Sequence, residues 1–121
     1  MIRKASEMRR ATVQGLRGGR GNVEITHILE EEKGEFAGKG RLYAKNVLKP
    51  GASIGLHQHV GDFEVYFILS GTGTINDDGA ESLVGPGDMV LTRNGENHAL
   101  ENTGDSDLVL TSLILFDGPK V

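Results

Sequence analysis

Three of the four histidines in this 121-residue chain are spaced so that their side chains can converge. His57 and His59 are two residues apart, and on a strand positions i and i+2 project from one face, about 7 Å apart along the chain. Both imidazoles can then point into one interior. Glu64 follows five residues later across Val60-Gly61-Asp62-Phe63, a stretch able to reverse the chain and start the next strand with its carboxylate on the same side. His98 arrives from a distant strand. Three neutral imidazole nitrogens and one carboxylate oxygen form a mixed N/O donor set that suits manganese, iron, cobalt, nickel, copper or zinc. In a six-coordinate site these donors leave two positions for water, dioxygen or a chelating substrate. With a divalent ion the complex carries about +1, which favours an anionic, oxygen-rich small molecule.

Positioning such donors falls to short strands. The chain has 18 glycines, spread at short intervals between brief apolar runs, which is the pattern of a sandwich or barrel of antiparallel strands and not of long helices. The runs predict strands over residues 23–29, 41–48, 54–59, 64–69, 73–76, 88–92, 97–102 and 107–116. Lys49-Pro50-Gly51, Gly85-Pro86-Gly87 and Asn94-Gly95 supply turn residues between them, and residues 76–79 read as the tip of a hairpin whose second arm is 81–84. Residues 1–22 are expected to form an N-terminal arm or edge segment, either a short helix or an arm that pairs with a partner chain, ahead of a single domain over 23–121. Within that arm, Leu16-Arg17-Gly18-Gly19-Arg20-Gly21 reads as a flexible loop. One such copy in an acidic chain lacks the aromatic interleaving of a nucleic-acid-binding tract. Glu30-Glu31-Glu32-Lys33 reads as a solvated loop.

Alternation along 64–69 sends Glu64, Tyr66 and Ile68 to one face. If Glu64 faces a metal, Tyr66 lines the same pocket, and its hydroxyl is the candidate catalytic group, as an acid or a hydrogen-bond donor. The same parity on 41–48 separates Arg41, Tyr43, Lys45 and Val47 from Leu42, Ala44, Asn46 and Leu48 without choosing which set faces inward. Asp62 and Glu96, near the motif ends, are further acid or base candidates but read first as solvated loop residues, and His27, outside the spacing, as a satisfied polar side chain.

Composition narrows the partners. With 13 basic and 17 acidic residues the formal charge is −4, which argues against a nucleic-acid or anionic-membrane surface. There is no cysteine, hence no disulfide framework, thiolate metal site or cysteine nucleophile, and a cytoplasmic location is expected. Residues 1–12 lack the apolar core of a signal peptide, and the longest apolar stretch, 108–116, is too short to span a membrane. A domain of this length can fold without disulfides or a structural metal, so a metal here is free to be functional.

The spacing also resembles that of the cupin superfamily, in the manner of its small, single-domain bacterial-type members. Gly51, five residues, His57, one residue, His59, four residues, Glu64, six residues and Gly71 match the first cupin motif throughout. Gly87, five residues, Arg93, one residue, Gly95, two residues, His98, three residues and Asn102 match the second, except that Arg93 stands where proline is usual. The resemblance implies an all-β, jelly-roll β-barrel with His57, His59, Glu64 and His98 as ligands of a divalent transition metal, manganese being the first expectation. It also implies isomerase, decarboxylase or dioxygenase activity. The expected function is a metal-dependent enzyme that isomerises or decarboxylates a sugar phosphate, keto acid or dicarboxylate. An iron-dependent dioxygenase and a non-catalytic small-ligand-binding module are the alternatives. Small cupins resemble one another in pairing, so a homodimer is expected, with the N-terminal segment and the apolar strand over 108–116 as the shared sheet edge.

Overall fold

The computed structural model describes residues 1–118, so the last three residues of the span 23–121 lie outside it. Ten strands follow one another: β1 (Arg9–Gln14), β2 (Asn22–Leu29), β3 (Gly40–Leu48), β4 (Ser53–Gln58), β5 (Asp62–Ser70), β6 (Gly73–Asp77), β7 (Ala80–Val84), β8 (Met89–Thr92), β9 (Asn97–Glu101) and β10 (Leu108–Phe116). They form a six-stranded sheet in the order β1-β2-β3-β10-β5-β8 and a four-stranded sheet in the order β4-β9-β6-β7, antiparallel throughout. The all-β jelly-roll expectation holds, but the barrel is not closed. Among the described residues no ladder joins one sheet to the other, and after β3 the chain crosses between them mainly through loops.

Alternation builds the core. On β10, Leu108, Leu110, Ser112 and Ile114 are buried while their neighbours are half-buried, and on β5 the buried set is Asp62, Glu64, Tyr66 and Ile68. The face left undecided on β3 is settled by Ala44, Asn46 and Leu48, which point inward. Val23, Leu48, Ile54, Ile68, Ile75, Leu100, Leu108 and Leu110 join the two sheets in one apolar cluster. Burying each large aliphatic side chain contributes about 1.5–3 kcal/mol.

One expectation about edges is refined and another needs correction. In the segment expected as an arm or edge, residues 9–14 form the edge strand β1, which pairs on one side with β2 of its own chain, from Arg9 opposite His27 to Gln14 opposite Asn22, so the expectation of an edge is refined to a strand of this sheet. β10 lies between β3 and β5, so both of its ladders are used and it offers no edge to a second chain.

The stretch expected to be a flexible loop is a built turn. Gly15 N–H donates to Gly21 O at 3.0 Å, and Gly18 N–H to Gly15 O at 2.9 Å. The turn lies so close to β4 that a Cβ on Gly19 would stand 2.1 Å from Ser53 O, and one on Gly55 would stand 2.1 Å from Arg17 O. Only glycine permits that approach. The acidic loop is also less solvated than expected, because Glu30 is buried and accepts from Arg9 Nε at 2.8 Å and pairs with Lys33 Nζ at 3.0 Å.

Candidate metal centre

His57 ends the inward run of β4, His59 lies just beyond it, Glu64 opens β5 and His98 sits on β9. Register brings them together, for His57 pairs directly with His98 across β4 and β9. One ligand atom from each of the four residues lies within 4.8 Å of every other. His98 Nε2 stands 2.9 Å from His57 Nε2 and 3.2 Å from His59 Nε2. Glu64 Oε1 lies 3.0 Å from His59 Nε2 and 3.1 Å from His98 Nε2. His59, Glu64 and His98 are buried, and His57 is half-buried at the cavity side.

The outer nitrogens decide what the inner ones can do. His57 Nδ1 donates to Gly55 O at 2.7 Å and His59 Nδ1 donates to Asp62 Oδ1 at 2.7 Å; both partners are pure acceptors, so each proton sits on Nδ1. In the neutral rings Nε2 is then a bare lone pair. His98 Nδ1 meets Thr92 Oγ1 at 2.7 Å, which leaves its Nε2 facing the same point. Lone pairs aimed at one another at these separations repel unless a cation stands between them. Donors about 2.1 Å from a shared ion and at right angles stand about 3 Å apart, so the donor set fits a divalent transition metal.

Electrostatics agree with that reading. Burial pushes the His57 imidazole below its usual range. The hydrogen bond to Glu64 raises His59, against an opposing desolvation effect and with help from Asp62. Burial alone would raise Glu64, but its contacts with His59 and His98 outweigh it, and the carboxyl ends below its ordinary value.

Tyr66 is where the alternation predicts. Its ring is buried and stacks on His98, with centroids 4.8 Å apart and planes 11° from parallel, and its hydroxyl lies 3.5 Å from His98 Nε2. Burial raises the phenol well above its usual range, so it stays protonated. A cavity of about 170 Å³ opens beside Tyr66, His57 and Glu64.

Sequence reasoning misplaced Asp62. It is buried, accepts from His59 Nδ1 through Oδ1, and accepts from Arg41 Nε through Oδ2 at 2.9 Å. Thr92 was not singled out at all. The signal available was their position: Asp62 stands three residues after His59, and Thr92 ends β8 opposite Glu64. His27 lies apart from the cluster, half-buried near Arg9 and Glu30. At Arg93, which replaces the usual proline, the backbone N–H donates to Glu96 Oε1 at 2.7 Å, a bond proline could not make. Glu96 therefore closes that turn, and the turn still delivers His98.

The comparisons with known proteins agree with this geometry. The family model described as Cupin domain matches residues 46–114. The chain belongs to the cupin family. It is 41% identical over 115 residues, 95% of this chain and 93% of the other, to a Thermotoga maritima protein named oxalate-binding protein. A crystal structure titled as a predicted oxalate decarboxylase of Thermotoga maritima superposes with a TM-score of 0.90 at 40% identity, covering 97% of this chain and 100% of that one. An RmlC-like cupin from Shewanella frigidimarina shares the fold, with a TM-score of 0.75 at 14% identity over 97% of this chain and 91% of that one.

Proposed function

We propose that His57, His59, Glu64 and His98 hold a divalent transition metal, manganese first among the candidates, and that the site binds a small dicarboxylate of the oxalate class. The observation that carries this reading is the convergence of three imidazole Nε2 atoms, two with their protons held on Nδ1, around one carboxylate oxygen. When bound, the metal supplies Lewis-acid polarisation of a carboxylate. The chain supplies the rest. Asp62 and Gly55 O hold His59 and His57 in the ligating tautomer. Tyr66, kept neutral, offers its hydroxyl as a donor and is the proposed proton source for decarboxylation, in which a proton replaces the departing carboxylate.

Binding without turnover is the second reading, favoured by the name of the 41% identical relative. One experiment separates the two. Manganese-loaded and iron-loaded protein are each incubated with oxalate while formate, carbon dioxide and oxygen uptake are followed. Formate without oxygen uptake supports decarboxylation, saturable binding with oxalate intact supports the binding module, and oxygen consumption with iron supports a dioxygenase. No oxalate binding in the metal-replete protein defeats the proposal.

We also propose that the chain pairs with a second copy through the outer face of the six-stranded sheet. Phe67, Leu69 and Met89 are exposed there, with Phe67 and Met89 directly opposite one another on β5 and β8.

A further inference from the structure

The cavity beside the histidine cluster is small and oddly equipped. At about 170 Å³ it has room for roughly six waters at about 30 Å³ each, a size that suits an acid of two or three carbons. Asn46, on the inner face of β3, lines it and is 4% exposed. Its Nδ2 donates to Ser112 Oγ at 2.6 Å, but its Oδ1 has no hydrogen-bond partner among the described residues. Buried polar atoms normally have one; as an acceptor this atom calls for a donor such as a water, and not for a carboxylate oxygen.

Arg17 lines the same cavity. Its backbone has φ 55° and ψ 31°, the left-handed region that a long side chain rarely occupies. Gly15 and Gly18 on either side also have positive φ, where glycine carries no such strain. The chain thus keeps the strained position for a cation. Backbone strain of this kind concentrates at functional sites. The close approach of Gly55 to Arg17 O fixes the residue against β4, next to His57. Arg17 lines the cavity, and its charge reaches His57 and Tyr66. It makes no side-chain hydrogen bond or ion pair among the described residues, whereas Arg41, the other guanidinium on this cavity, is committed through Nε to Asp62.

We infer that Arg17 is the specificity-determining cation of this site: at the mouth of the cavity it pairs with the outer oxygens of a two- or three-carbon dicarboxylate whose inner oxygens face the histidine cluster. A planar guanidinium meets the two oxygens of such a carboxylate with parallel hydrogen bonds, which a neutral amide end group cannot reproduce. This inference rests on the proposed reading of the site and adds to it the residue that selects the second negative charge.

The test uses full-length, manganese-loaded protein titrated calorimetrically with oxalate and with oxamate, which keeps the size but replaces one carboxylate by an amide. Metal content is measured after desalting. Wild type should prefer oxalate by about tenfold. Arg17→Asn, whose side chain tolerates left-handed backbone, should keep its metal and its thermal midpoint while that preference falls within about threefold. Arg17→Lys, a point charge without the fork, should lie between. An intact preference in Arg17→Asn overturns the inference. So does loss of metal in that variant, because Arg17 would then be shoring up the donors and not reading the ligand. If wild type binds neither anion, the dicarboxylate reading of the site falls first and the role of Arg17 with it.

Discussion

An imidazole ligates a metal only through a nitrogen that carries no proton, so the outer contacts of His57, His59 and His98 matter as much as the rings. The convergence of the four residues was legible in the sequence from the His57/His59 spacing together with the cupin motif, although β4 ends at Gln58 and His59 lies just beyond it. Their supports were not. Asp62 belongs to the turn between the motif's second histidine and its glutamate, and nothing in its own neighbourhood says that its carboxylate folds back onto His59 Nδ1. Two predictions follow from the distinction. His57→Ala or His98→Ala should lower metal affinity tenfold or more, whereas His27→Ala should leave it unchanged; elemental analysis after dialysis against the metal checks this, and equal behaviour of all three variants would remove the assignment. Asp62→Ala deletes the acceptor that fixes the His59 tautomer and frees Arg41. It should cost about 10- to 100-fold in metal affinity, measured by competition with a chromophoric chelator.

At the scale of elements, strands with one apolar face were read nearly to their ends, and β1 was missed. Its sequence, Arg-Arg-Ala-Thr-Val-Gln, places only Ala11 and Val13 in half-buried positions, so an edge strand of this kind carries little hydrophobic signal. What fastens it is ionic. Arg9 reaches Glu30 at the far end of β2, Lys33 closes the same carboxylate from the next turn, and Arg3 pairs with Glu35. Hydrogen bonds from Arg9 and Lys33 hold Glu30 down to about 2, against an ordinary value of 4.5. A carboxyl depressed on folding contributes its stability above the unfolded value, and the contribution fades as pH falls through the folded one. The window here runs from about pH 4.5 down to about pH 2. Glu30→Gln should therefore lower the thermal midpoint at pH 6 and differ progressively less from wild type as pH falls through that window. Calorimetric melts of both proteins from pH 6 to pH 2 measure it, and a gap that stays constant across the range would show that the clamp contributes nothing.

For the molecule as a whole, the sequence read the sandwich correctly in class and misread how its surfaces are used. Hydrophobicity made β10 look like an edge available for pairing, yet a strand apolar on both faces belongs in the middle of a sheet, and there it lies between β3 and β5. One group of the exposed apolar residues lies together on a sheet face. Phe67 and Leu69 alternate outward on β5, and Met89 stands opposite Phe67 on β8. Each copy carries a formal charge of −4, so two copies repel at long range. A contact between them must then be made where no charge is brought into the low-dielectric centre, and this uncharged patch meets that condition. A two-fold axis places the same residues against themselves, which needs self-complementary apolar surface and no charge pairing. Phe67→Glu would bring two carboxylates together across such an axis. Wild type should sediment as a dimer at micromolar concentration and Phe67→Glu as a monomer, with the metal site and the fold, read by metal content and circular dichroism, unchanged in both. A wild-type monomer in the ultracentrifuge, or a variant that remains dimeric, would place the interface elsewhere or remove it.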